Sequence, residues 1–192
     1  MPDKSVQTIR DLIFYQYAKI IAKSAYQTGD NATAKKKYYG FIKNTFRKLQ
    51  SGELSWSDIL REDIQFAQAE KKCAYCGTTE KLTQEHIIPK SIHINDRCPQ
   101  CDKIQAIHNI VFACKTCNRR KHTKGLYTFF HELYPDEKMS DIVPPLLEKK
   151  YLKLMYCCHQ CAGTLEQGDL NGDGVLNVLD IDAILKRPCI HA

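Results

Sequence analysis

The sequence lacks any apolar stretch long enough to cross a lipid bilayer. No run approaches the roughly 18–20 uncharged residues that a membrane-spanning helix needs. The N-terminus lacks a basic start, a clean apolar stretch and a small-residue cleavage site, so we expect no secretory signal and a cytoplasmic protein without a membrane partner. Internal repeats and low-complexity tracts are also missing. The apolar fraction of 43% is ordinary for a globular protein, which argues against gross disorder.

Acidic residues are scarce in the middle of the chain. Residues 71–135 carry 11 Lys and Arg against 5 Asp and Glu, whereas residues 136–192 carry 6 against 9. A basic face suits a polyanion, and nucleic acid is the commonest one. The charge alone is equally compatible with a basic surface that only keeps the protein soluble.

Cysteine, in contrast, is abundant, and its spacing is informative. Disulfides are not expected in a reducing compartment. Eight of the ten cysteines form four CxxC pairs: Cys73 and Cys76, Cys98 and Cys101, Cys114 and Cys117, Cys158 and Cys161. Two intervening residues let both sulfurs of a tight turn reach one tetrahedral ion at ~2.3 Å. Four pairs could complete two zinc sites and leave Cys157 and Cys189 over.

The N-terminal third has the periodicity of helices. Apolar residues spaced by three or four predict one helix over 5–27 and, after a Gly-Asp-Asn turn, a second helix that ends at Gly52. Ser55 with Asp58 resembles a capping box that opens a third helix. Residues 1–70 are therefore predicted to form a helical subdomain.

The composition changes after residue 70. Strands are predicted over 82–88 and 109–113, followed by a helix through about Leu133. Prolines bracket a linker, after which helices are predicted over 146–160 and 178–187. The predicted segments are 1–70 (helical), 71–135 (strands and helix), 136–167 (linker and helix with CxxC) and 168–192 (acidic loop and final helix).

Four sequence features occur in a recognisable order over residues 73–121. They are CAYC at 73–76, EHIIP at 85–89, HNIVFACKTCN at 108–118, and then Lys121. This order resembles the zinc-containing HNH endonucleases, a branch of the ββα-metal nucleases. The resemblance implies an α+β fold that is mostly helical, with a small ββα-metal (His-Me finger) core between an N-terminal helical subdomain and C-terminal helices.

The resemblance also implies roles for individual residues. His86 matches the general base, Glu85 and Asn118 match the ligands of a catalytic Mg²⁺ or Mn²⁺, and Asn109 matches the residue that orients the histidine. Carboxylate and amide oxygens suit these hard cations. Glu rather than Asp at 85 and Asn rather than His at 118 depart from the commonest family pattern, so the preferred ion stays open.

A basic cluster follows the second ligand. Lys121 is expected to reach a substrate phosphate as a catalytic residue, and Arg119, Arg120 and Lys124 are expected to add DNA-binding charge. The other histidines of this region, among them His108, are candidates for secondary contacts only.

Two zinc sites are considered. Cys73, Cys76, Cys114 and Cys117 are expected to bind a structural Zn²⁺, because a closed shell of four thiolates leaves no open position for catalysis. A second Zn²⁺ is predicted at Cys98, Cys101, Cys158 and Cys161, where Cys157 or His159 could replace one ligand. The alternative for this second set is free thiols.

The acidic C-terminal segment contains a further motif. The sequence DLNGDGVLNVLD places potential Ca²⁺ ligands in the order of an EF-hand loop: Asp169, Asn171, Asp173, the Val175 carbonyl, Asn177 and Asp180. The closing Asp and the residues after it resemble one repeat of a dockerin module. The alternative is an Asx-rich turn that caps the last helix.

The combined reading is a divalent-metal-dependent DNA endonuclease that hydrolyses phosphodiester bonds. A role in restriction or anti-phage defence fits this reading, and a homing or recombination role stays open. Cleavage of both strands would need a homodimer or two events, because one ββα site cuts one strand per visit. The rival reading is a non-catalytic zinc-knuckle module that binds nucleic acid.

Overall fold

The computed structural model describes residues 4–26, 32–90 and 107–186. Within them, the helices are α1 (Ile9–Ala25), α2 (Ala32–Gln50), α3 (Leu60–Gln68), α4 (Lys115–Lys121), α5 (Leu126–Leu133), α6 (Met139–Ile142), α7 (Pro145–Cys161) and α8 (Val178–Ala183). The strands are β1 (Leu82–His86) and β2 (Ile110–Cys114), with 3-10 turns at Ile107–Asn109 and Ile184–Lys186. Helices dominate and one antiparallel two-stranded sheet is present, which confirms the predicted α+β class.

Helix α1 begins at a capping box. Thr8 Oγ1 accepts a hydrogen bond from the Asp11 amide at 3.2 Å, and Asp11 Oδ2 accepts one from the Thr8 amide at 3.3 Å. Two of the amides that a helix start leaves without a partner are thereby satisfied. The helix ends at Ala25, and the predicted turn after it lies outside the described residues.

The predicted start of the third helix is wrong. Helix α3 begins at Leu60, and the acceptor at its start is Asp58 Oδ1, which takes the Leu60 amide at 2.9 Å. Ile59 occupies the N-cap position without a side-chain hydrogen bond. Ser55 therefore does not cap α3, because Asp58, three positions later, is itself the acceptor at the start of the helix.

The chain's one tryptophan lies between the first and seventh helices. Trp56 packs edge-on against Phe14 of α1 and Tyr156 of α7, with ring centroids 5.3 and 4.9 Å apart. Tyr17 contacts the same indole ring at 5.5 Å. This aromatic cluster joins the N-terminal helices to the long C-terminal helix.

The predicted single helix after β2 is also wrong, because two helices stand in its place. Helix α4 ends at Lys121, and the next residue, His122, has a positive φ of 49° that no helix can continue. Helix α5 then begins at Leu126 and ends, as predicted, at Leu133.

A buried carboxylate from the last helix holds the start of α5. Asp182 Oδ2 accepts the Thr128 amide at 2.7 Å, and Asp182 Oδ1 accepts the Tyr151 hydroxyl at 2.5 Å. Gly125, the N-cap of α5, lies so close that a Cβ there would stand 2.2–2.6 Å from this carboxylate. The C-terminal segment is thus packed directly on the start of α5.

The buried apolar side chains form one cluster that extends from Val6 to Ile184 and draws on all four predicted segments. The segment boundaries themselves stay a prediction. Among the described helices, none combines the length and the apolar character that crossing a bilayer requires.

Candidate metal centre and active site

Four cysteines converge at the end of the sheet where Leu82 pairs with Cys114. Cys73 and Cys76 lie in the turn before β1, Cys114 ends β2, and Cys117 lies in α4. Their sulfur atoms all lie within 4.8 Å of one another, and the Sγ atoms of Cys76 and Cys114 are 3.9 Å apart. A tetrahedron with Zn–S bonds of ~2.3 Å has edges of about 3.8 Å, so the four thiols fit one zinc ion. Within the described residues, no other group of His, Cys, Asp or Glu side chains is arranged this way.

The backbone of the first knuckle explains how it presents its sulfurs. The Gly77 amide donates to the Cys73 carbonyl at 2.9 Å, and Gly77 adopts a positive φ of 77°, which glycine tolerates. Burial raises the pKa of Cys73, but backbone N–H groups, that of Cys114 foremost, outweigh it and set the pKa at about 7. A thiol that ionises near neutral pH is suited to metal binding.

The two strands turn alternate residues to opposite faces of the sheet. Glu85 is opposite Val111 and His86 is opposite Ile110 in the antiparallel register. Glu85 is buried, with 8% of its surface exposed, whereas His86 is only partly covered. The acid and the histidine of the EHIIP motif therefore leave the strand in opposite directions, as a regular pleat dictates.

Asn109 clamps the chain immediately after His86. Its side-chain oxygen accepts the Ile88 amide at 2.7 Å, and its side-chain nitrogen donates to the Ile88 carbonyl at 2.8 Å. The Asn109 carbonyl also accepts the Ile87 amide at 2.9 Å. These three bonds, made by a residue that is almost fully buried, fix the backbone on which His86 sits.

Asn118 lies on the face of the sheet that Glu85 occupies. Its Nδ2 donates to Thr83 Oγ1 at 3.2 Å, and Thr83 precedes Glu85 by two positions, so both strand residues share one face. Because the nitrogen makes this bond, the Asn118 amide oxygen takes no part in the contact with Thr83. That oxygen is the atom that could ligate a cation. Helix α4 thus carries Asn118 to the side of β1 that bears the carboxylate.

Lys121 does not occupy the surface position expected of a phosphate-contacting residue. It has no exposed surface, and its ammonium donates to Glu85 Oε1 and to the His86 carbonyl, both at 3.1 Å. Helical geometry is the reason, because Lys121 lies three residues after Asn118 and faces the same side of the sheet. The expected contact of Lys121 with substrate stays a prediction, and in this structure its ammonium is engaged by Glu85 and the His86 carbonyl.

The oxygen atoms near Glu85 have the chemistry of a Mg²⁺ or Mn²⁺ site. A carboxylate on β1 and an amide oxygen on α4 are hard donors, and these ions bind through few protein ligands and several waters. Lys121 already places one positive charge at this carboxylate. A divalent ion would therefore share Glu85 with the lysine.

His86 has a distinct electrostatic environment. Partial burial lowers its pKa, the positive charge of Lys90 acts in the same direction, Glu85 opposes them and Lys121 adds to the lowering. The imidazole is therefore biased towards the neutral form that can accept a proton.

The basic residues after Asn118 divide into two groups. Arg119 and Arg120 are exposed on α4. Lys124 instead donates to Glu132 Oε2 at 2.5 Å and to the Arg120 carbonyl at 3.3 Å, so its ammonium is engaged within the protein. The two arginines are the better placed to meet a polyanion.

The second predicted zinc site cannot be assembled from the described residues, because Cys98 and Cys101 lie outside them. Cys158 is buried and Cys161 half-buried near the end of α7. The suggestion that His159 could replace a ligand is wrong. Its ring nitrogens lie 2.8 Å from Thr164 Oγ1 and 3.0 Å from the Ile181 carbonyl, so neither is left for a metal.

The acidic loop before α8 is ordered by its own hydrogen bonds. Asp169 accepts three backbone amides, from Gly172 to Gly174, at 2.9–3.1 Å. Asp180 accepts the Asn171 and Asn177 amides at 3.0 and 2.7 Å and completes a capping box with Asn177 at the start of α8. The cap is therefore present, while Ca²⁺ binding stays a prediction.

Sequence reasoning missed one polar contact beside the clamp. His108, the residue before Asn109, is hydrogen-bonded through Nδ1 to Asp63 of α3. The two residues are 45 positions apart and no motif links them. No signal in the sequence identifies this pair.

Comparison with known proteins covers the sheet and α4. Residues 73–124 match the family model of the HNH endonucleases. No curated protein and no solved structure gave a significant match. The matched residues include the cysteine quartet, both strands, Asn109 and Asn118. Residues 73–124 are therefore similar to the HNH endonucleases, and the four cysteines, which are positioned to bind a metal ion, are consistent with the zinc-containing type.

Proposed function

We propose that this protein is a divalent-metal-dependent DNA endonuclease that hydrolyses phosphodiester bonds. The proposal is carried by one observation: a segment that matches the HNH endonucleases places Glu85 and His86 at the end of β1, with the Asn109 clamp beside His86 and Asn118 on the Glu85 face. The products would be 5′-phosphate and 3′-hydroxyl ends, as in that family.

His86 would act as the general base. The Asn109 clamp holds its backbone, and its side chain leaves the strand on the less covered face, where water and DNA have access. An imidazole at that place can take a proton from the attacking water. Because the backbone beside His86 is held before substrate arrives, less ordering of this segment is needed during the reaction.

Glu85 and Asn118 would hold the Mg²⁺ or Mn²⁺. The bound ion would stabilise charge on the phosphate and on the leaving 3′ oxygen. Because Glu85 and His86 leave β1 on opposite faces, both can serve one phosphate only if the chain bends where the strand ends, as it does in that family. Lys121 keeps the Glu85 carboxylate oriented and adds positive charge beneath the reacting group. The exposed Arg119 and Arg120 would contact flanking phosphates of the DNA.

A second candidate function is nucleic-acid binding without catalysis. The observation that favours it is the Lys121–Glu85 ion pair, because it gives the buried carboxylate a partner in the absence of any metal. The zinc centre would then present a basic knuckle to nucleic acid, as zinc knuckles do.

A plasmid assay separates the two candidates. We expect the wild-type protein to relax or linearise supercoiled plasmid with Mg²⁺ or Mn²⁺, and His86→Ala to bind DNA equally well but cleave at least ~100-fold more slowly, as loss of a general base implies. Wild-type protein that shifts DNA in a gel but leaves it supercoiled with either ion would favour the binding module.

We also propose a second zinc site at Cys98, Cys101, Cys158 and Cys161, and a Ca²⁺ site over 169–180. Metal analysis of the purified protein checks the first: two zinc ions per chain are expected, and Cys158→Ser should lower the content to one. A content of one zinc in the wild type would exclude the second site.

Calorimetric titration with Ca²⁺ checks the proposed Ca²⁺ site, with Asp173→Ala as the control.

The biological role proposed is restriction or anti-phage defence in the cytoplasm. A homodimer would bring two sites to opposite strands. Light scattering with and without duplex DNA measures the oligomeric state, and a monomer that makes only single-strand nicks would exclude the dimer.

A further inference from the structure

A partly buried charge cluster connects α3 and α7 to residues 108–110, the active-site turn that contains Asn109. Asp63 of α3 is the centre of this cluster: its carboxylate is paired with Lys150 Nζ of α7 at 2.7 Å and with Nδ1 of His108. The Lys150 ammonium also donates to the Ile110 carbonyl at 3.0 Å and lies 5.4 Å from the Phe66 ring centroid. Helices from both ends of the chain therefore meet at residues 108–110.

Residues 108–110 are the segment that carries the clamp. His108 and Ile110 are the chain neighbours of Asn109, and each is held by one member of the Asp63–Lys150 pair. Asn109 in turn makes the three bonds to Ile87 and Ile88. The contacts thus run without a gap from α3, through the 108–110 turn, to the backbone next to His86.

A neighbouring ion pair docks the same helices without touching the active-site turn. Glu62, which precedes Asp63, is paired with Lys153 of α7, and both side chains are buried. Lys153 also donates to Ser57 Oγ and to the Asp58 carbonyl at 2.9 and 3.3 Å, all within the N-terminal segment or α7. Two adjacent carboxylates therefore hold α3 on α7, but only Asp63 is linked, through His108 and Lys150, to the residues on either side of Asn109.

We propose that Asp63, acting through His108 and Lys150, is a positioning residue for the nuclease site. It lies outside residues 73–124, in a helix to which the family match assigns nothing. Its carboxylate aligns the two neighbours of Asn109, and Asn109 then sets the backbone that carries His86. The inference rests on the proposed function for its catalytic consequence, but the hold on the clamp is a structural property that can be measured without substrate.

The experiment compares Asp63→Asn with Glu62→Gln in the full-length, zinc-loaded protein. Each variant removes one charge from the α3–α7 contact, so both should lose stability, but only Asp63→Asn weakens the hold on residues 108–110. Hydrogen exchange of the Ile87 and Ile88 amides, measured by NMR, should be about tenfold or more faster in Asp63→Asn than in Glu62→Gln. With plasmid as substrate, kcat should fall about tenfold in Asp63→Asn only, with KM unchanged, because Asp63 touches no DNA.

The outcomes are distinct. Equal exchange rates in the two variants, or an active protein whose kcat is lowered equally by both, would overturn the proposal. If wild-type protein does not cut DNA but Asp63→Asn still accelerates exchange of the Ile88 amide, the positioning contact stands and the proposed function fails. His108→Gln serves if Asp63→Asn does not fold, because it removes the same contact and leaves the Asp63–Lys150 pair in place.

Discussion

The motif predicts that Lys121 contacts substrate, but its side chain is buried and makes its contacts inside the protein. Its ammonium neutralises Glu85 and supports the carbonyl of His86, so the two central residues of the EHIIP motif are joined by a single cation. The sequence predicts a basic residue one helical turn after Asn118. It does not predict burial, because burial depends on how α4 lies against the sheet.

Removal of this lysine should destabilise the fold. We expect Lys121→Met to lower the free energy of unfolding by about 3–5 kcal/mol, since it leaves the Glu85 carboxylate buried without its partner. Urea denaturation measures the change. Lys115→Met, at an exposed position of the same helix, should change stability by less than about 0.5 kcal/mol, and an equal loss in both variants would contradict the role of the ion pair.

Glu148 gives stability a dependence on pH. Burial raises its pKa to about 7, while the Tyr127 hydroxyl and the charges of Lys19 and Lys23 act in the opposite direction. A carboxyl whose pKa is raised by folding stabilises the native state when protonated, so its contribution is full below about pH 4.5 and is lost as the pH rises through about 7.

The Glu148→Gln variant should therefore lack this pH dependence. Between pH 5 and pH 8 the unfolding free energy of the wild type should fall by on the order of 3 kcal/mol more than that of the variant. The glutamine oxygen can still accept the Tyr127 hydroxyl, so packing is preserved. If the unfolding free energies of wild type and variant change equally across this range, then Glu148 ionises in the native state without loss of stability and the prediction fails.

At the scale of elements, local signals predicted where helices lie better than where they begin. The spacing of apolar residues predicted α1, α2 and α7 to within a few residues of their observed bounds. The start of α3 was missed because two acceptors, Ser55 and Asp58, were both available and only the fold selects one. The break between α4 and α5 was missed because no local signal marks the positive φ of His122, and the start of α5 is held by Asp182, 57 positions after Gly125.

Two glycines of helical elements should respond oppositely to alanine. A Cβ at Gly40, in the interior of α2, meets nothing within 4 Å, so Gly40→Ala should stabilise by about 0.5–1 kcal/mol. A Cβ at Gly125 would overlap the Asp182 carboxylate, which Tyr151 and Thr128 hold in place, so Gly125→Ala should destabilise by about 1–3 kcal/mol. Thermal unfolding monitors both, and a shift of the same sign in the two variants would contradict the contact.

For the whole molecule, the cysteine quartet was predictable because each pair is local and the pattern has few alternatives. The contacts that join the segments were not predictable. Asp63 with His108, Lys153 with Glu62 and Asp182 with Thr128 are all separated by 45 or more positions, and each depends on how helices pack. The sequence therefore predicted the residues of the candidate site more completely than the helix contacts that hold those residues in place.

Loss of the zinc ligands should unfold the sheet region first. We expect Cys117→Ser to lose one zinc per chain and to lower the unfolding temperature, because a two-stranded sheet with a short helix is unstable without the metal. Zinc quantification together with thermal unfolding checks this expectation. Unchanged zinc content in Cys117→Ser would exclude the quartet as the binding site.

The position of Trp56 gives the protein an internal optical reporter. Its indole is the only one in the chain, and its ring contacts among the described residues are Phe14, Tyr17 and Tyr156, none of which belongs to the cysteine quartet or to the candidate active site. Tryptophan emission will therefore follow separation of α1 from α7 and remain largely silent when the zinc centre opens. A chelator titration read by fluorescence and by circular dichroism at once would consequently resolve whether the metal centre and the helical body come apart in one step or in two.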